Sequence, residues 1–243
     1  MAVTDAAPQI AALGVDGLLI RFADRLTEPA NRAALAFAAA VDRADLPGLA
    51  EVATGPVSVL VRFDLASADP AAIVTRLSEM LADRDWTEAP LPGGRRLWRV
   101  PAVFGTDLAP QLDEAAALAG VTPEQAIESL IAAPLRVQTI GFAPGQPYLG
   151  QLDPAWDIPR QEGLSPQVPP GALTVAIRQV VLFSVASPTG WRHVGQTAAR
   201  LFDPDRADPF LLRPGDGVLF TATDRAGLET ARADGGAEAI PWP

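Results

Sequence analysis

From Leu135 onward, proline or glycine returns about every 8 to 12 residues between short apolar runs. Proline has no N–H to give a sheet ladder and glycine is the residue of tight turns, so this half is cut into many short strands. Such punctuation is the signature of a barrel or sandwich. Just upstream, Leu97 to Val100 reads as a short strand, and Asp107 to Leu118 and Thr122 to Ala132 read as two helices. Thr122 and Pro123 fit an N-cap and first helical position, with Gln125 read as one residue short of the acidic place in a capping box.

The first ninety residues follow another rhythm. Gly17 to Phe22 reads as a strand, and Glu28 to Val41 as an alanine-rich helix ending near Pro47-Gly48. In Val57 to Phe63, residues Val57, Val59, Val61 and Phe63 share one face by the period of two. Ala71 to Asp83 carries Ile73, Leu77, Met80 and Leu81 at helical spacing. The turn-rich Ala89-Pro90-Leu91-Pro92-Gly93-Gly94 then separates the halves. The expected organisation is a small α/β domain over residues 1–90 and a mainly β domain with helices over residues 91–243, α+β in class.

Composition excludes much chemistry. All 19 basic residues of the 243 are arginine, there is no cysteine, and His193 is the single histidine. Thiol nucleophiles, disulfides, zinc–thiolate sites, lysine Schiff bases and the lysine-bearing phosphate loop are therefore absent, and no metal site is evident, a carboxylate-bound Mg²⁺ being the one kind this composition allows. A net charge of −10 repels phosphate backbones and anionic lipids, so neither nucleic acid nor membrane is an expected partner. Met1 to Leu19 lacks the basic start of a secretory signal, and the apolar run Gly171 to Val185 is broken by Arg178 and Gln179, so a cytoplasmic location is expected. Asp203, Asp205 and Asp208 begin like a calcium loop but lack its later glycine and glutamate, and read as a solvated turn.

The densest motif runs Gly141-Phe142-Ala143-Pro144-Gly145-Gln146-Pro147-Tyr148-Leu149-Gly150. It is followed by Ile158-Pro159-Arg160, Val168-Pro169-Pro170-Gly171 and Ser187-Pro188-Thr189-Gly190-Trp191. Together these resemble the family of the kinase inhibitor KipI, the B subunit of 5-oxoprolinase and allophanate hydrolase subunit 1. The usual forms there are G-F-x-P-G-F-P-Y-L-G, V-P-A-G-S-V, Q-T-G-I-Y and S-P-G-G-W-x-x-x-G-R-T. Trp98-Arg99-Val100-Pro101, the Gly120 to Glu124 helix start, Leu201 to Pro204 and Leu211 to Asp216 extend the resemblance, and Asp16 to Phe22 with Val57 to Asp64 carry it into the first half.

The resemblance implies a small α/β domain followed by a cyclophilin-like β-barrel. It also implies one component of a complex, working with a partner barrel protein of the C-subunit type and with a third subunit. There ATP, held with or by the partners, drives the opening of 5-oxoproline to glutamate, or of a related amide or ureido compound. Two alternatives stand beside it: a non-catalytic, KipI-like regulator that binds and inhibits a histidine kinase, and one half of a biotin-dependent carboxyltransferase.

Candidate substrate contacts are Phe142, Tyr148, Arg160, Gln179 and Trp191, on a rim shaped by Gly141, Pro144, Gly145, Pro147, Pro169, Gly171, Pro188 and Gly190. Arg160 is the best cation for a carboxylate or phosphate, or else a surface arginine. Tyr148 and Gln179 orient a small amide or lactam, or close barrel turns; Phe142 and Trp191 wall a pocket, or pack as core. Catalytic residues are not identified. His193 reads as structural, on one strand face with Trp191.

The chain departs from the usual forms at several places. Leu130 replaces a histidine, Gln167 and Gln196 replace arginines, and Val180-Val181 replace a Thr-Gly pair, which removes residues suited to a positive-φ turn.

Overall fold

In the computed structural model, which describes residues 7–242, the chain divides into two compact units, Met1–Gly94 and Arg95–Pro243. The first unit is an antiparallel sheet in the order β1-β2-β4-β3, built from β1 (Gln9–Leu13), β2 (Gly17–Arg21), β3 (Leu49–Thr54) and β4 (Ser58–Phe63). Two helices, α1 (Glu28–Arg43) and α2 (Pro70–Ala82), share its core. Val59, Val61 and Phe63 alternate inward from β4 and meet Phe37 of α1 and Leu77 of α2, while Val57 sits just before the strand. Thr27 and Asp69 cap the two helices, each followed by an early proline that costs no needed N–H. The edge strands β1 and β3 leave little trace in the sequence pattern, because neither has a clean buried alternation.

The second unit is a barrel. Its strands are β5 (Leu97–Phe104), β6 (Leu135–Ile140), β7 (Pro147–Gly150), β9 (Ala172–Ala176), β10 (Gln179–Leu182), β12 (Arg192–Thr197) and β13 (Gly217–Ala222). The ladder runs β12-β9-β10-β7-β6-β13-β5, and β5 pairs back onto β12, closing seven strands. All neighbours are antiparallel except β13 and β5. A short ribbon of β8 (Ser165–Val168) with β11 (Ser187–Thr189) stands apart, and β14 (Glu238–Ile240) pairs with the first half of β5.

Helices α3 (Leu112–Ala119) and α4 (Pro123–Ile131) pack on the barrel core through Leu112, Ala115, Ala116, Ala126 and Leu130, and α5 (Arg225–Ala233) lies near the C-terminus. The mixture of helices with a closed barrel is the α+β architecture the resemblance implied.

Several expectations need correction. Helix α3 starts at Leu112 rather than Asp107, because Ala109-Pro110 lies in a turn and Asp107 forms an ion pair with Arg225. Strand β5 runs through Pro101 to Phe104, twice the expected length. Thr122 and Gln125 do form a capping box, since a glutamine at the third helical position reaches back as a glutamate does. The positive-φ turn between β9 and β10 falls on Ile177 and Arg178, so Val180 and Val181 are ordinary buried strand residues. Asp203 is buried and ion-paired with Arg200 and Arg206 rather than solvated. Leu130 is 1% exposed within the barrel core, where an imidazole would require a polar partner.

One carboxylate gathers the start of β5 and of β13. Asp216, 2% exposed, accepts from the Arg96 backbone and Nη2 (2.9 Å each), the Arg213 backbone (3.1 Å) and Trp98 Nε1 (3.4 Å). Arg96 also stacks on the Trp98 ring at 5.0 Å. Removing the acid leaves two backbone donors without their acceptor, while the partly exposed Arg96 guanidinium keeps the Leu211 carbonyl and Asp208, so Asp216→Ala should cost about 1 to 3 kcal/mol in urea unfolding; no measurable loss would show that the contact is dispensable.

His193 is 5% exposed on β12, and its Nε2 has no hydrogen-bond partner among the described residues. Burial holds its pKa below the ordinary value, although Gly195 and Gln196 favour the protonated ring. The folded state therefore refuses a proton that the unfolded chain accepts below about pH 6.5. Stability should be fully present above that pH and fall as the solution is acidified toward the folded pKa. Because His193 is the only histidine, His193→Leu should flatten the pH 7 to 5 portion of the stability curve.

Candidate functional site

The G-F-x-P-G motif folds into a tight loop between β6 and β7. Gly141 N–H donates to Gln146 C=O (3.0 Å) and Gln146 N–H to Ala143 C=O (3.1 Å). Gly145 has φ +72, and a Cβ there would lie 2.7 Å from Leu201 C=O, so the turn requires glycine. Phe142 at the loop tip also adopts a positive φ of 73°, and its ring is 74% exposed. A bulky residue held in this region and turned to solvent is a strained feature that functional surfaces retain.

Beside this loop lies a cleft of about 270 Å³ lined by Phe142, Gln146, Tyr148, Arg160, Phe183 and Trp191, with Leu164, Gln161 and the Pro188–Gly190 turn completing the wall. Trp191 packs edge-on to Tyr148 with centroids 6.2 Å apart, and both belong to a small cluster with Val168, Val181 and Phe183 outside the main barrel core. Arg160 is exposed, with its guanidinium 5.3 Å over the Trp191 ring and no carboxylate partner among the described residues. The ring holds the cation without neutralising it, which leaves the guanidinium fork open to an anion.

Buried and half-buried side chains position the segment bearing Arg160. Arg192, buried and paired with Glu114 at 2.8 Å, donates to Pro159 C=O. Gln161 N–H donates to Gly190 C=O (2.7 Å), and its side chain bridges Gln111 (2.8 Å) and Trp191 C=O (3.1 Å).

Gln146 is 1% exposed, and its Oε1 has no hydrogen-bond partner among the described residues. A buried acceptor left so costs about 1 to 3 kcal/mol.

Of the expected contacts, Phe142, Tyr148, Arg160 and Trp191 meet at the cleft, with Pro188 and Gly190 on its wall. Gln179 does not: its amide donates to Gln138 Oε1 (2.8 Å) beside Gly150, where β10 pairs with β7. Gly141, Pro144, Gly145 and Pro147 shape the loop and the start of β7 without lining the cleft. Pro169 and Gly171 lie elsewhere, Pro169 in a second hollow of about 580 Å³ that also holds His193, Gln167 and Gln196. Trp191 and His193 thus line different hollows, because Trp191 precedes β12 rather than continuing it.

In that second hollow Arg225 is closed by Asp107 and Arg232 by Glu229, and the Gln196 amide donates to Pro170 and Thr197 carbonyls (2.9 Å each). A triphosphate needs open cations or a glycine-rich amide cradle, and this hollow offers neither, so the residues do not fit ATP. Among the described residues no group of three metal-ligating side chains could hold a metal, and no helix is long and apolar enough to cross a membrane.

Gln146, Gln161 and Arg192 escaped the sequence reading. For Gln146 the available signal was its place in the motif, whose usual form has phenylalanine there. For the other two the relevant contacts are at least 29 residues away in sequence.

Residues 8–212 match the family described as carboxyltransferase domain, subdomain C and D. The chain is 30% identical over 219 residues to the 5-oxoprolinase B subunit of Bacillus subtilis (strain 168), covering 87% of this chain and 91% of that protein. It is 34% identical over 179 residues to the 5-oxoprolinase B subunit of Escherichia coli O157:H7, covering 72% and 79%. The solved structure of TTHA0988 superposes with a TM-score of 0.71 at 31% identity over 86% of this chain, which spans only 40% of that longer one. The urea amidolyase of K. lactis shares the fold, with a TM-score of 0.72 at 18% identity over 98% of this chain and 17% of that one. The chain therefore belongs, as a divergent member, to the family of KipI and the 5-oxoprolinase B subunit, built on the carboxyltransferase domain of subdomains C and D.

Proposed function

We propose that this protein is the B-type component of an ATP-dependent complex that opens 5-oxoproline or a closely related amide, with a C-type barrel protein and a third subunit as partners. The observation that carries this reading is the open Arg160 guanidinium over Trp191 at the mouth of an aromatic cleft, in a chain similar along most of its length to the 5-oxoprolinase B subunit. In this reading Arg160 takes the substrate carboxylate and the rings of Phe142, Phe183 and Trp191 flank the small ring. Tyr148 orients the carbonyl. ATP is handled by the partner proteins, because the second hollow has its arginines spent on carboxylates.

A second reading, a KipI-like regulator that binds a kinase, is favoured by the cleft mouth itself. Phe142 and Leu164, at 74% and 71% exposed, offer an apolar rim of the kind that protein partners cover.

The test is 5-oxoproline-dependent ADP release by the complex isolated on a tagged copy of this protein. Arg160→Ala should lower kcat/KM at least about tenfold, as expected for losing a charge-assisted contact. Absence of substrate-dependent release with the barrel partners present would sink the enzymatic reading and favour the regulator.

A further inference from the structure

The two edges of the first sheet are built differently. At β3 the ladder to β4 shifts register between Leu49 and Glu51, and Glu51 brings a charge to that edge. β1 has neither device. Gln9-Ile10-Ala11-Ala12-Leu13 carries no charge, pairs with β2 in unbroken register over all five residues, and pairs with no other strand among the described residues. Sheets blunt such edges with charges, prolines or bulges, because the outward N–H and C=O groups are a template for another strand. Pro8 stands just outside the ladder and the Gly14–Asp16 turn closes its other end, so the five residues are left open together. At the turn end Leu13 and Val15 are 49% and 87% exposed, so apolar surface accompanies the free backbone.

The strand is complementary to itself. Ile10, opposite Ile20, packs on the core, and Ala12, opposite Leu18, shares its face, whereas Gln9, Ala11 and Leu13 lie on the other face of the sheet. An antiparallel copy laid along the whole ladder sets Ala11 against Ala11, Gln9 against Leu13 and Ile10 against Ala12, so both faces continue without a flip. Charge agrees. Arg21 stands at the Gln9 end, bonded to Gln9 Oε1 (3.0 Å) and to exposed Asp24, while at the Leu13 end Asp16 and Glu51 share the single cation of Arg62. Antiparallel pairing brings the arginine end of each copy to the acidic end of the other, and a parallel arrangement would set like ends together. We infer that this edge is occupied by a second copy of the chain, the two β1 strands pairing antiparallel about a two-fold axis at Ala11 to make one eight-stranded sheet from two four-stranded ones. The interface uses no residue of the aromatic cleft, so it is independent of what that cleft binds.

The chain has no cysteine, so single cysteines report the pairing without background, and Gln9, Ala11 and Leu13 are all exposed, so substitutions there spare the core. A pair of five-residue strands makes a small interface, and sedimentation of the full chain from about 1 to 200 µM should show reversible exchange between monomer and dimer. Under mild oxidation Ala11→Cys should cross-link as a homodimer, because facing Cβ atoms lie about 5 Å apart, within disulfide reach. Gln9→Cys alone and Leu13→Cys alone should not, since each would lie about 13 Å from its own equivalent, whereas a mixture of the two proteins should. Ala11→Lys, which sets like charges across the axis, should weaken the dimer about threefold or more, and Ala50→Lys on the exposed β3 edge should leave it unchanged.

A chain that stays monomeric across that range, or a dimer whose Ala11→Cys form does not cross-link, overturns the inference. So does a purified complex in which Ala11→Cys cross-links to another subunit in place of its own copy, since the edge then serves a foreign strand. Sedimentation of the unsubstituted chain needs no variant, so a folding defect in any one of them does not blunt the test.

Discussion

Closure of the seven-stranded sheet through β12 is the constraint from which the rest of the second unit follows. An open sheet of this length would leave β12 and β5 with unpaired backbone groups, and their mutual pairing removes both edges. The closure is tight: β12 shifts register between His193 and Gly195, and a Cβ on Gly195 would meet the Phe104 ring at 3.2 Å. At the opposite end of β5, the Asp216 carboxylate binds together the Arg96, Trp98 and Arg213 groups that precede and flank the parallel β5–β13 pair. With the barrel closed, the residues at the start of β12 are fixed in space, and the cleft inherits that rigidity.

The route from strand to site runs through side chains that touch no substrate. Arg192 leaves β12, pairs with Glu114 of α3 and holds the Pro159 carbonyl, which sets the residue next to it, Arg160, over Trp191. Gln111 receives the His193 N–H and passes the contact to Gln161, whose amide reaches back to the Trp191 carbonyl. The exposed arginine that offers the charge is thus seated on a part-buried polar network, which is how a surface cation becomes a directed one.

The departures from the family forms fall into two physical groups. Leu130, Val180 and Val181 are buried and apolar, so at these places the chain has traded polar or turn chemistry for packing. Gln167 and Gln196 line one hollow, where neutral amides stand for arginines, and the remaining cations are neutralised by Asp107 and Glu229. Gln146 runs the other way, placing a polar atom where the family form is aromatic, and it does so in the cleft that keeps an open cation. Positive charge has been withdrawn from one hollow, and a polar side chain added to the other.

Sequence alone determined that the second half is built of short strands, because proline and glycine punctuation leaves no other economical way to satisfy the backbone. It also singled out, through its motif segments, Phe142, Tyr148, Arg160 and Trp191 of the cleft, but not Phe183. Tertiary structure decided which glutamine lies at that cleft. Gln179 and Gln146 are chemically the same, but β10 turns one toward Gln138 while the loop before β7 buries the other beside the cleft, and a strand register is invisible in composition. It likewise decided that His193 is buried and that Arg192 serves as a clamp, because both facts depend on α3 and β12 meeting across about 80 residues of chain.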